Sequence, residues 1–261
     1  TGYGDDGAIW GGEFLQTATG SYSRVGHLEY FDLPGGDSAV RHPWRVAIAV
    51  LQRCGFPIDK RLACVADRPF HEVELIFSQI ARGINCVPTS SCGRLFDAVA
   101  SLIGVAQEVS YEGQAAMELE AAALTRMHHA DQRRYTFEID DSDSAKSDRM
   151  CGYQIGFRRL IHSMCHDVID GSDRSSIAAE FHHAVVRMIV DVSLHAREDF
   201  GVNRIGLTGG VFQNSILVER ASERLQAEGF DVLSHHTVPP NDGGISLGQA
   251  VIARDRLPTI S

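Results

Sequence analysis

Two adjacent glycines followed by a helix-capping residue form the stretch of this sequence best suited to bind a phosphate, Leu207-Thr-Gly-Gly-Val-Phe-Gln-Asn214. The apolar residues just before it predict a short strand, and Gly209-Gly210 lets the backbone turn and approach a ligand closely. Asn214 is a good N-cap for the helix that the periodicity predicts over 216–228. Free N–H groups and the positive end of the helix dipole would meet at one place there, which suits a phosphate. A glycine pair before a helix is just as often a tight turn without a ligand.

A second loop, Val238-Pro-Pro-Asn-Asp-Gly-Gly-Ile-Ser-Leu-Gly248, follows a strand predicted over 231–235. Two prolines stiffen this loop, and two glycines release the backbone directly after Asp242. A carboxylate held rigidly at the carboxyl end of a strand suits a metal ion or a cation bound to phosphate. As an alternative, Asp242 only caps the helix predicted over 244–254, which would leave the prolines unexplained.

The first residues, Thr1-Gly-Tyr-Gly-Asp-Asp-Gly7, form a third glycine-rich turn. Strands are predicted over 8–16 and 23–33, joined by a hairpin turn at Ala18-Thr-Gly-Ser21. A glycine-rich turn between two strands can hold a nucleotide phosphate. On this stretch alone, a plain hairpin is the simpler interpretation.

The middle of the chain is predicted to be largely helical, with helices over 38–54, 72–82, 93–104 and 114–125. Asp37 is the expected cap of the first helix, and Thr89 or Ser90 that of the third. Asp97 lies in the second turn of the third helix, where it is either a solvated surface group or an acceptor for ribose hydroxyl groups. Gly113 lies at the start of the fourth helix.

Two further features of this chain suggested anion or metal binding. Arg41 and Arg45 are four residues apart and would share one helix face, either clamping an anion or lying in solvent. Neighbouring histidines point in different directions on a helix or strand, so the three histidine pairs are assigned no metal. Those pairs are His128-His129, His182-His183 and His235-His236.

After the helical block, the pattern predicts a strand over 134–139 and an acidic, serine-rich loop over 140–148. Helices are predicted over 152–169 and 176–198. The 261 residues therefore alternate between β and α segments, which is typical of an α/β fold.

Composition excludes several classes of protein. The net charge of −10 argues against non-specific nucleic-acid binding, and no apolar run is long enough to span a membrane. The six cysteines include no C-x-x-C pair, and no secretory signal is visible, so we expect buried thiols in a reducing cytoplasm. Because the chain lacks an initiator Met and opens inside a glycine-rich turn, we expect a fragment or a processed piece.

The order of elements predicts most of one lobe of a ribonuclease-H-like nucleotide-binding fold, as in the actin/Hsp70/sugar-kinase superfamily, with the N-terminal lobe absent. We divide it into a β-hairpin (1–33), a helical insertion (34–130) and the remainder of the nucleotide-binding lobe (131–261). A full lobe begins with a three-strand meander, and only two of its strands are predicted here. The missing strand would leave an unpaired edge, so we expect self-association or pairing with an upstream segment.

At these residues the sequence resembles the HypF carbamoyltransferases of [NiFe]-hydrogenase maturation. It is similar to the C-terminal part of their last domain, which itself resembles the TsaD threonylcarbamoyl-transferases and the antibiotic carbamoyltransferase TobZ. The resemblance covers almost the whole chain and rests on the stretches TGYGDDGAIWGGEFL, LPGGDSAVRHPWR, TSSCGRLFDAVA, YEGQAAMELE, LTGGVFQN and VPPNDGGISLGQAVIA.

The resemblance implies a reaction. A carbamoyl group, derived from carbamoyl phosphate and activated with ATP as carbamoyl-adenylate, passes to the C-terminal cysteine thiol of HypE and later becomes cyanide on the hydrogenase iron. The resemblance also implies nucleotide contacts at Gly209, Gly210 and Asn214, ribose or adenosine contacts at Asp97 and Gly113, and a phosphate turn at Thr1, Gly2 and Gly4. Asp242 matches a carboxylate ligand of the family's zinc or iron.

The sequence departs from the family pattern in its metal ligands. The family's H-x-x-x-H run lies upstream of the first turn, and this sequence shows neither that upstream run nor the Asp expected just before the turn; its one H-x-x-x-H spacing, His162 to His166, lies far downstream. One carboxylate holds a divalent metal poorly, so we expect half an active site and an inactive isolated fragment. We assign no catalytic nucleophile, since the attacking thiol belongs to HypE. A non-catalytic docking module for HypE and a relative of sugar or acetate kinases are the alternative functions.

Overall fold

A computed structural model describes residues 2–18, 20–129, 131–140 and 152–256. Within these residues the strands are short and lie in three sheets. The orders of neighbouring strands are β1-β2-β6-β5, β3-β4-β8-β7 and β10-β9. The strands are β1 (Gly2–Tyr3), β2 (Ile9–Trp10), β3 (Glu13–Ala18), β4 (Ser21–Leu28), β5 (Phe31–Pro34), β6 (Cys86–Thr89), β7 (Glu138–Asp140), β8 (Tyr153–Gly156), β9 (Arg204–Gly206) and β10 (Asp231–Leu233).

Helices surround and connect these sheets, and the combination is a mixed α/β fold. Two short 3-10 turns, Gly210–Gln213 and Asp242–Gly244, follow β9 and β10. The α-helices are α1 (Asp37–Arg41), α2 (Pro43–Cys54), α3 (Ala63–Ala66), α4 (Phe70–Ala81), α5 (Cys92–Leu102), α6 (Gln114–Leu124), α7 (Arg158–Ile169), α8 (Arg174–Phe200), α9 (Ser215–Ala227) and α10 (Ile245–Arg256). Among the described helices, none is long and apolar enough to cross a membrane.

The predicted hairpin is confirmed, but its second strand ends earlier than predicted. β3 and β4 pair antiparallel up to Ala18 and Ser21. The predicted strand 23–33 breaks after Leu28, and β5 joins a different sheet. Leu28 and Phe31 are both buried, although an odd spacing would place them on opposite faces of one continuous strand. The break allows both side chains to reach the core.

The predicted helix 38–54 is two helices, α1 and α2. Pro43 lacks a backbone N–H and is therefore tolerated only in the first turn of a helix, so α1 ends before it and α2 begins with it. Gly36 occupies the N-cap position of α1, which corrects the expected cap at Asp37. Arg41 and Arg45 consequently lie on different helices, and the predicted shared face is wrong.

The region after the helical block also differs from the prediction. The expected helix 152–169 begins only at Arg158, because β8 precedes it with Tyr153 and Ile155 buried on one side. The predicted strand 134–139 shortens to β7, since the Arg134 N–H donates instead to the Glu180 carboxylate at 3.0 Å. Most of the predicted acidic loop lies outside the described residues.

The stretch predicted as a helical insertion is not helical throughout. β6 lies inside it and pairs with β5 and, through Thr89, with β2. The long, mostly buried helix α8 confirms the core helix predicted over 176–198. The centre of the molecule includes Phe96 of α5 packed edge-on against Phe181 of α8, with ring centroids 4.8 Å apart.

Most cysteines are structural. Cys54, Cys64, Cys92 and Cys165 are buried free thiols, as predicted, whereas Cys86 is only half-buried. Burial raises the pKa of the Cys92 thiol to about 12. A thiol with such a pKa is a poor nucleophile, which fits its place in the core.

Candidate functional site

The loops that follow β9 and β10 lie at one edge of a parallel strand pair. Gly206 of β9 is in register with Leu233 of β10, and the Leu207 N–H donates to the Leu233 carbonyl at 3.2 Å. The carboxyl ends of parallel strands point the same way, so both predicted loops leave the sheet together. The predicted order of strand, turn and helix is confirmed here, with α9 connecting the two strands.

A direct hydrogen bond joins the two loops. The Gly209 N–H donates to the Pro240 carbonyl at 2.7 Å. Gly209 has φ +104° and ψ 162°, a backbone region that is open essentially only to glycine. Its amide is therefore occupied by the second loop. A Cβ placed on Gly210 would meet nothing within 4 Å, so Gly210 presents open backbone to a ligand.

The Asn214 side chain makes two contacts inside the protein. Its Oδ1 accepts from the Leu217 N–H at 3.1 Å, which caps α9 as predicted. Its Nδ2 lies 3.0 Å from His182 Nε2. These contacts use one of the two N–H groups of the amide and one acceptor position of its oxygen, and the Asn214 backbone N–H donates to the Val211 carbonyl at 3.1 Å.

His182 is a residue of this site that the sequence reasoning missed. It is buried on α8, and its Nδ1 donates to the Ala178 carbonyl at 2.7 Å, which leaves Nε2 as the acceptor for Asn214. Burial lowers the pKa of His182 to about 4, so the ring is neutral near pH 7. Its helical position, four residues after Ala178, was visible in the sequence, but its partner 32 residues later was not.

A carboxylate from α6 occupies the N-terminus of α9. Glu120 Oε1 accepts from the Ser215 N–H at 2.7 Å and from the Ser215 hydroxyl at 2.6 Å. A negative charge is favourable at this end of a helix, which is where the sequence predicted free N–H groups for a phosphate. That expectation is corrected, because protein groups already engage the N–H groups of Ser215 and Leu217. Gly210 remains open.

The second loop owes its shape to Asn241 and Pro239. Asn241 Oδ1 accepts from the Gly243 N–H at 3.1 Å, so Asn241, and not Asp242, is the cap. A Cβ on Gly243 would lie 2.9 Å from Pro239 Cγ, and one on Gly244 would lie 2.8 Å from the Pro239 carbonyl oxygen. Both glycines are thus required by the close approach of the proline. Asp242 is left exposed.

The described residues do not form a metal site by themselves. No group of three or more His, Cys, Asp or Glu side chains within that part of the chain is arranged to hold a metal ion. The histidines near the second loop have other partners: His235 Nε2 lies 3.0 Å from Thr208 Oγ1, and His236 Nε2 lies 3.1 Å from Ser234 Oγ. Asp242 alone is insufficient for zinc or iron.

Asp97 is buried, so of the two alternatives the solvated surface group is wrong. Its carboxylate pairs with Arg94 on the same helix, with 2.7 Å between Arg94 Nη1 and Asp97 Oδ2. Burial raises the pKa of Asp97 to about 6; Arg94 lowers this pKa, and Glu112 raises it further. The cap of α5 is Ser91, one residue later than predicted.

The start of α5 lies beside the turn that begins at Gly210, and α6 reaches the N-terminus of α9 through Glu120. A Cβ on Gly93 would lie 3.9 Å from Val211 Cγ2. Gly113 is the N-cap of α6 with φ +81°, and a Cβ there would meet nothing within 4 Å. Glu120 lies seven positions after Gly113 along α6, about 10 Å at the usual helical rise. One helix therefore connects Gly113 to the N-terminus of α9.

The N-terminal turn is only partly available to a ligand. The Gly4 N–H donates to the Ala8 carbonyl at 2.9 Å, and a Cβ on Gly4 would overlap the Trp10 ring. Gly2 lies in β1 with open space around it, and Thr1 is outside the described residues. The turn is tied to α5, because the Cys92 N–H donates to the Gly11 carbonyl at 3.1 Å.

Glu13 is a second residue that the sequence reasoning missed. Its Oε1 accepts from the N–H groups of Gly11 at 3.1 Å and Gly12 at 3.3 Å, and from the Ser90 hydroxyl. Its Oε2 pairs with Arg24 Nε at 2.5 Å. This carboxylate therefore joins the first hairpin to the segment just before α5.

Comparison with known proteins places these features in a family. The model of the family described as "Carbamoyltransferase, Kae1-like Domain, second subdomain" matches residues 1–249. The "Probable carbamoyltransferase HypF" of Methanocaldococcus jannaschii is 33% identical over 254 residues, which are 96% of this chain and 31% of that protein.

Two solved structures are similar to the whole chain. The crystal structure of full-length HypF in the phosphate- and nucleotide-bound form has a TM-score of 0.88 and 40% identity, covering 100% of this chain and 32% of its own. The crystal structure of T. kodakarensis HypF has a TM-score of 0.75 and 29% identity, covering 96% and 32%. The chain thus spans about a third of the length of these relatives.

Proposed function

This chain belongs to the family of carbamoyltransferase Kae1-like domains, second subdomain, and from that premise we propose that it forms part of the nucleotide site of a carbamoyltransferase. The single observation that carries the proposal is the hydrogen bond from Gly209 to Pro240, because it brings the open backbone of Gly210 and the exposed Asp242 to one edge of the β9-β10 pair. A similar structure was solved in a phosphate- and nucleotide-bound form, which supports ATP as the ligand.

In the proposed site, the Gly210 backbone faces the phosphates, and Asp97 and Gly113 face the ribose and adenosine. Gly2 and Gly4, with Thr1 before them, would supply a further phosphate turn. The parallel β9-α9-β10 unit, with loops at the carboxyl ends of its strands, supports a ribonuclease-H-like lobe. Asp242 is the proposed carboxylate for a divalent cation. Because the described residues do not complete a metal site, no chemical step depends on that ion.

The proposed substrate is carbamoyl-adenylate, formed from carbamoyl phosphate and ATP, and the proposed acceptor is the C-terminal cysteine of HypE. The thiolate attacks the carbamoyl carbon, a C–S bond forms, and the C–O bond to phosphate breaks. AMP leaves with the electron pair, and the thiol proton passes to solvent. No protein nucleophile is required, so this chain has only to orient the two reactants and stabilise negative charge with N–H groups. The free, buried thiols fit the reducing cytoplasm expected for this chemistry.

An ATP titration of two glycine variants tests the proposal. In Gly210→Val, the side chain projects into the space proposed for phosphate, and we expect ATP affinity to fall at least about tenfold, or about 1.4 kcal/mol. Gly206→Val is the matched control, because a Cβ on Gly206 also meets nothing within 4 Å. Equal affinities of both variants and the parent protein, all folded by circular dichroism, would contradict the proposal.

A second candidate function, a non-catalytic docking or assembly module for HypE, is favoured by α10. None of its residues is buried among the described residues, and its apolar side chains Ile245, Leu247, Val251 and Ile252 are exposed. Such a face is typical of an association surface, including self-association. Nucleotide-independent binding of HypE that is lost in Leu247→Asp, with no transfer of a carbamoyl group, would favour this candidate. Leu75→Asp on α4 is the control, since Leu75 is also exposed but lies on a different helix.

A further inference from the structure

We propose that Arg94 is a positioning residue for Asp97, holding its carboxylate in the charged form and in one orientation so that it accepts hydrogen bonds from the hydroxyl groups of a nucleotide sugar. The inference rests on the proposed function and deepens it, because it assigns a role to a residue that does not itself need to touch the nucleotide.

The pair is buried within a single helix. Arg94 is 8% exposed and Asp97 is 3% exposed, and their charged atoms are 2.7 Å apart across one turn of α5. An ion pair of this spacing on the surface contributes little to stability. In a buried pair, however, removal of one partner leaves an uncompensated buried charge, which is unfavourable. Asp97 would then take up a proton and lose most of its capacity to accept hydrogen bonds.

Both atoms of the pair have unused hydrogen-bonding capacity. Apart from the ion pair, neither Arg94 Nη1 nor Asp97 Oδ2 has a hydrogen-bond partner among the described residues. Buried polar atoms are seldom left unsatisfied, and such atoms require an explanation. Asp97 Oδ2 faces Arg94 and is enclosed by protein, so a ligand hydroxyl group would donate to the other carboxylate oxygen, Oδ1, while the charge attraction keeps Arg94 in place.

The position of the pair agrees with such a ligand. Gly93, the neighbour of Arg94, faces Val211 in the turn that begins at Gly210. The Glu112 carboxylate, just before the open Gly113, is close enough to raise the pKa of Asp97. The helix that carries Asp97 thus contacts the proposed phosphate loop through Gly93, and Glu112 at the start of α6 acts on the Asp97 carboxylate, as expected if a sugar lies near Asp97.

The electrostatic surroundings make Asp97 sensitive to Arg94. Burial raises the pKa of Asp97 to about 6, Arg94 opposes this rise, and Glu112 adds to it. The turn Gly210–Gln213 carries no titratable side chain. The other elements packed around α5 carry Arg45, Arg53 and Cys54 on α2, Cys64 on α3 and Glu118 and Glu120 on α6, and from α8 the His182 ring contacts Phe96 of α5.

The pH dependence of nucleotide binding follows from the protonation of the Asp97 carboxyl group. Asp97 accepts hydrogen bonds at both oxygens only above its pKa, so sugar binding should weaken as the pH falls through about 6. Each pH unit below that point should lower the affinity about tenfold if only the charged form binds. Loss of Arg94 raises the pKa of Asp97 and moves the inflection to higher pH.

The test is ATP affinity measured by titration calorimetry from pH 5 to pH 8 for the parent protein, Arg94→Met and Arg94→Lys. We expect Arg94→Met to move the inflection upward by about one pH unit or more, and Arg94→Lys to restore most of the parent profile. Glu112→Gln, an exposed change with no risk to the core, should move the inflection to lower pH. A nucleotide that lacks the 2′- and 3′-hydroxyl groups should lose this dependence.

A purely structural role of Arg94 would lower affinity equally at every pH. That result, with the inflection unmoved in both Arg94→Met and Glu112→Gln, overturns the inference while leaving the proposed nucleotide site intact. Absence of ATP binding by the parent protein at every pH overturns both. If Arg94→Met does not fold, the other two variants still test the inference. Arg94→Lys should give a nearly parental pH profile, and Glu112→Gln should move the inflection to lower pH.

Discussion

The N–H of Gly209 donates a hydrogen bond of 2.7 Å to the carbonyl of Pro240, and this bond joins the loops that follow β9 and β10. Because the Gly209 N–H is already hydrogen-bonded, Gly209 determines the shape of the candidate site, and Gly210 presents the open backbone. The prolines of the second loop also have a structural reason, since Pro240 supplies the acceptor and Pro239 packs against Gly243.

Gly209→Ala should destabilise the protein. Its φ of +104° is unfavourable for a residue with a Cβ, so we expect the free energy of unfolding to fall by about 1–3 kcal/mol. Gly206→Ala, where the backbone is in an ordinary region and a Cβ has open space, should change it by less than about 0.5 kcal/mol. Urea unfolding of both variants measures the difference, and equal stabilities would contradict this account of the loop.

Asn214→Ala should remove two interactions together. The change deletes the cap of α9 and leaves the buried His182 Nε2 without its donor, so we expect a loss of about 2–4 kcal/mol. Ser91→Ala, which removes only the cap of α5, should cost about 1 kcal/mol. A loss for Asn214→Ala no larger than that for Ser91→Ala would mean that the contact with His182 contributes nothing.

Glu120→Ala tests the carboxylate at the start of α9. Removal of the two hydrogen bonds to Ser215 and of the favourable charge should lower the free energy of unfolding by about 1–2 kcal/mol. Glu118→Ala is the control on the same helix, because Glu118 accepts only an exposed contact from Gln114. Thermal melts at low ionic strength should separate the two variants, and identical melting temperatures would refute the assignment.

Asp131 should make stability depend on acid pH. Burial raises its pKa, but hydrogen bonds from Arg187, the Arg133 N–H and Arg224 outweigh burial and lower the pKa to about 2. A carboxyl group whose pKa is lowered by folding stabilises the folded state at pH values above its pKa in the unfolded chain, which is near 4. This stabilisation is lost as the pH falls toward 2. This shift corresponds to about 2–3 kcal/mol.

The measurement for Asp131 is urea unfolding of Asp131→Asn and the parent protein between pH 2 and pH 6. The gap in stability between them should narrow by that amount as the pH falls. Asp173→Asn, at an exposed helix cap, is the control and should show a smaller change. A gap that stays constant over this range would contradict the low pKa of Asp131.

Local signals were sufficient to predict the candidate loops. The strand, glycine turn and capped helix around Gly209–Asn214 depend on residue types at fixed local spacing, and the structure confirms them. The break at Pro43 was equally readable from the sequence and was overlooked. β8 was missed because its four alternating residues run directly into the helical pattern of α7.

Long-range partners could not be predicted from local spacing. His182 and Asn214 are 32 residues apart, Glu120 and Ser215 are 95 apart, and Glu13 and Ser90 are 77 apart. Only the tertiary fold brings each pair together. The burial of Asp97 is of the same kind, since its helical position alone fits a solvated carboxylate as well as an enclosed one.

The most direct test of the proposed nucleotide site is an amide NMR titration of the protein with ATP. The account predicts that the N–H signals of Gly210 and Gly243 shift together and saturate with the same dissociation constant, because both loops border one site. The signal of Gly171, whose N–H donates to the Val168 carbonyl in the turn after α7, should stay in place. Saturable ATP binding that leaves Gly210 and Gly243 unchanged would contradict the central claim.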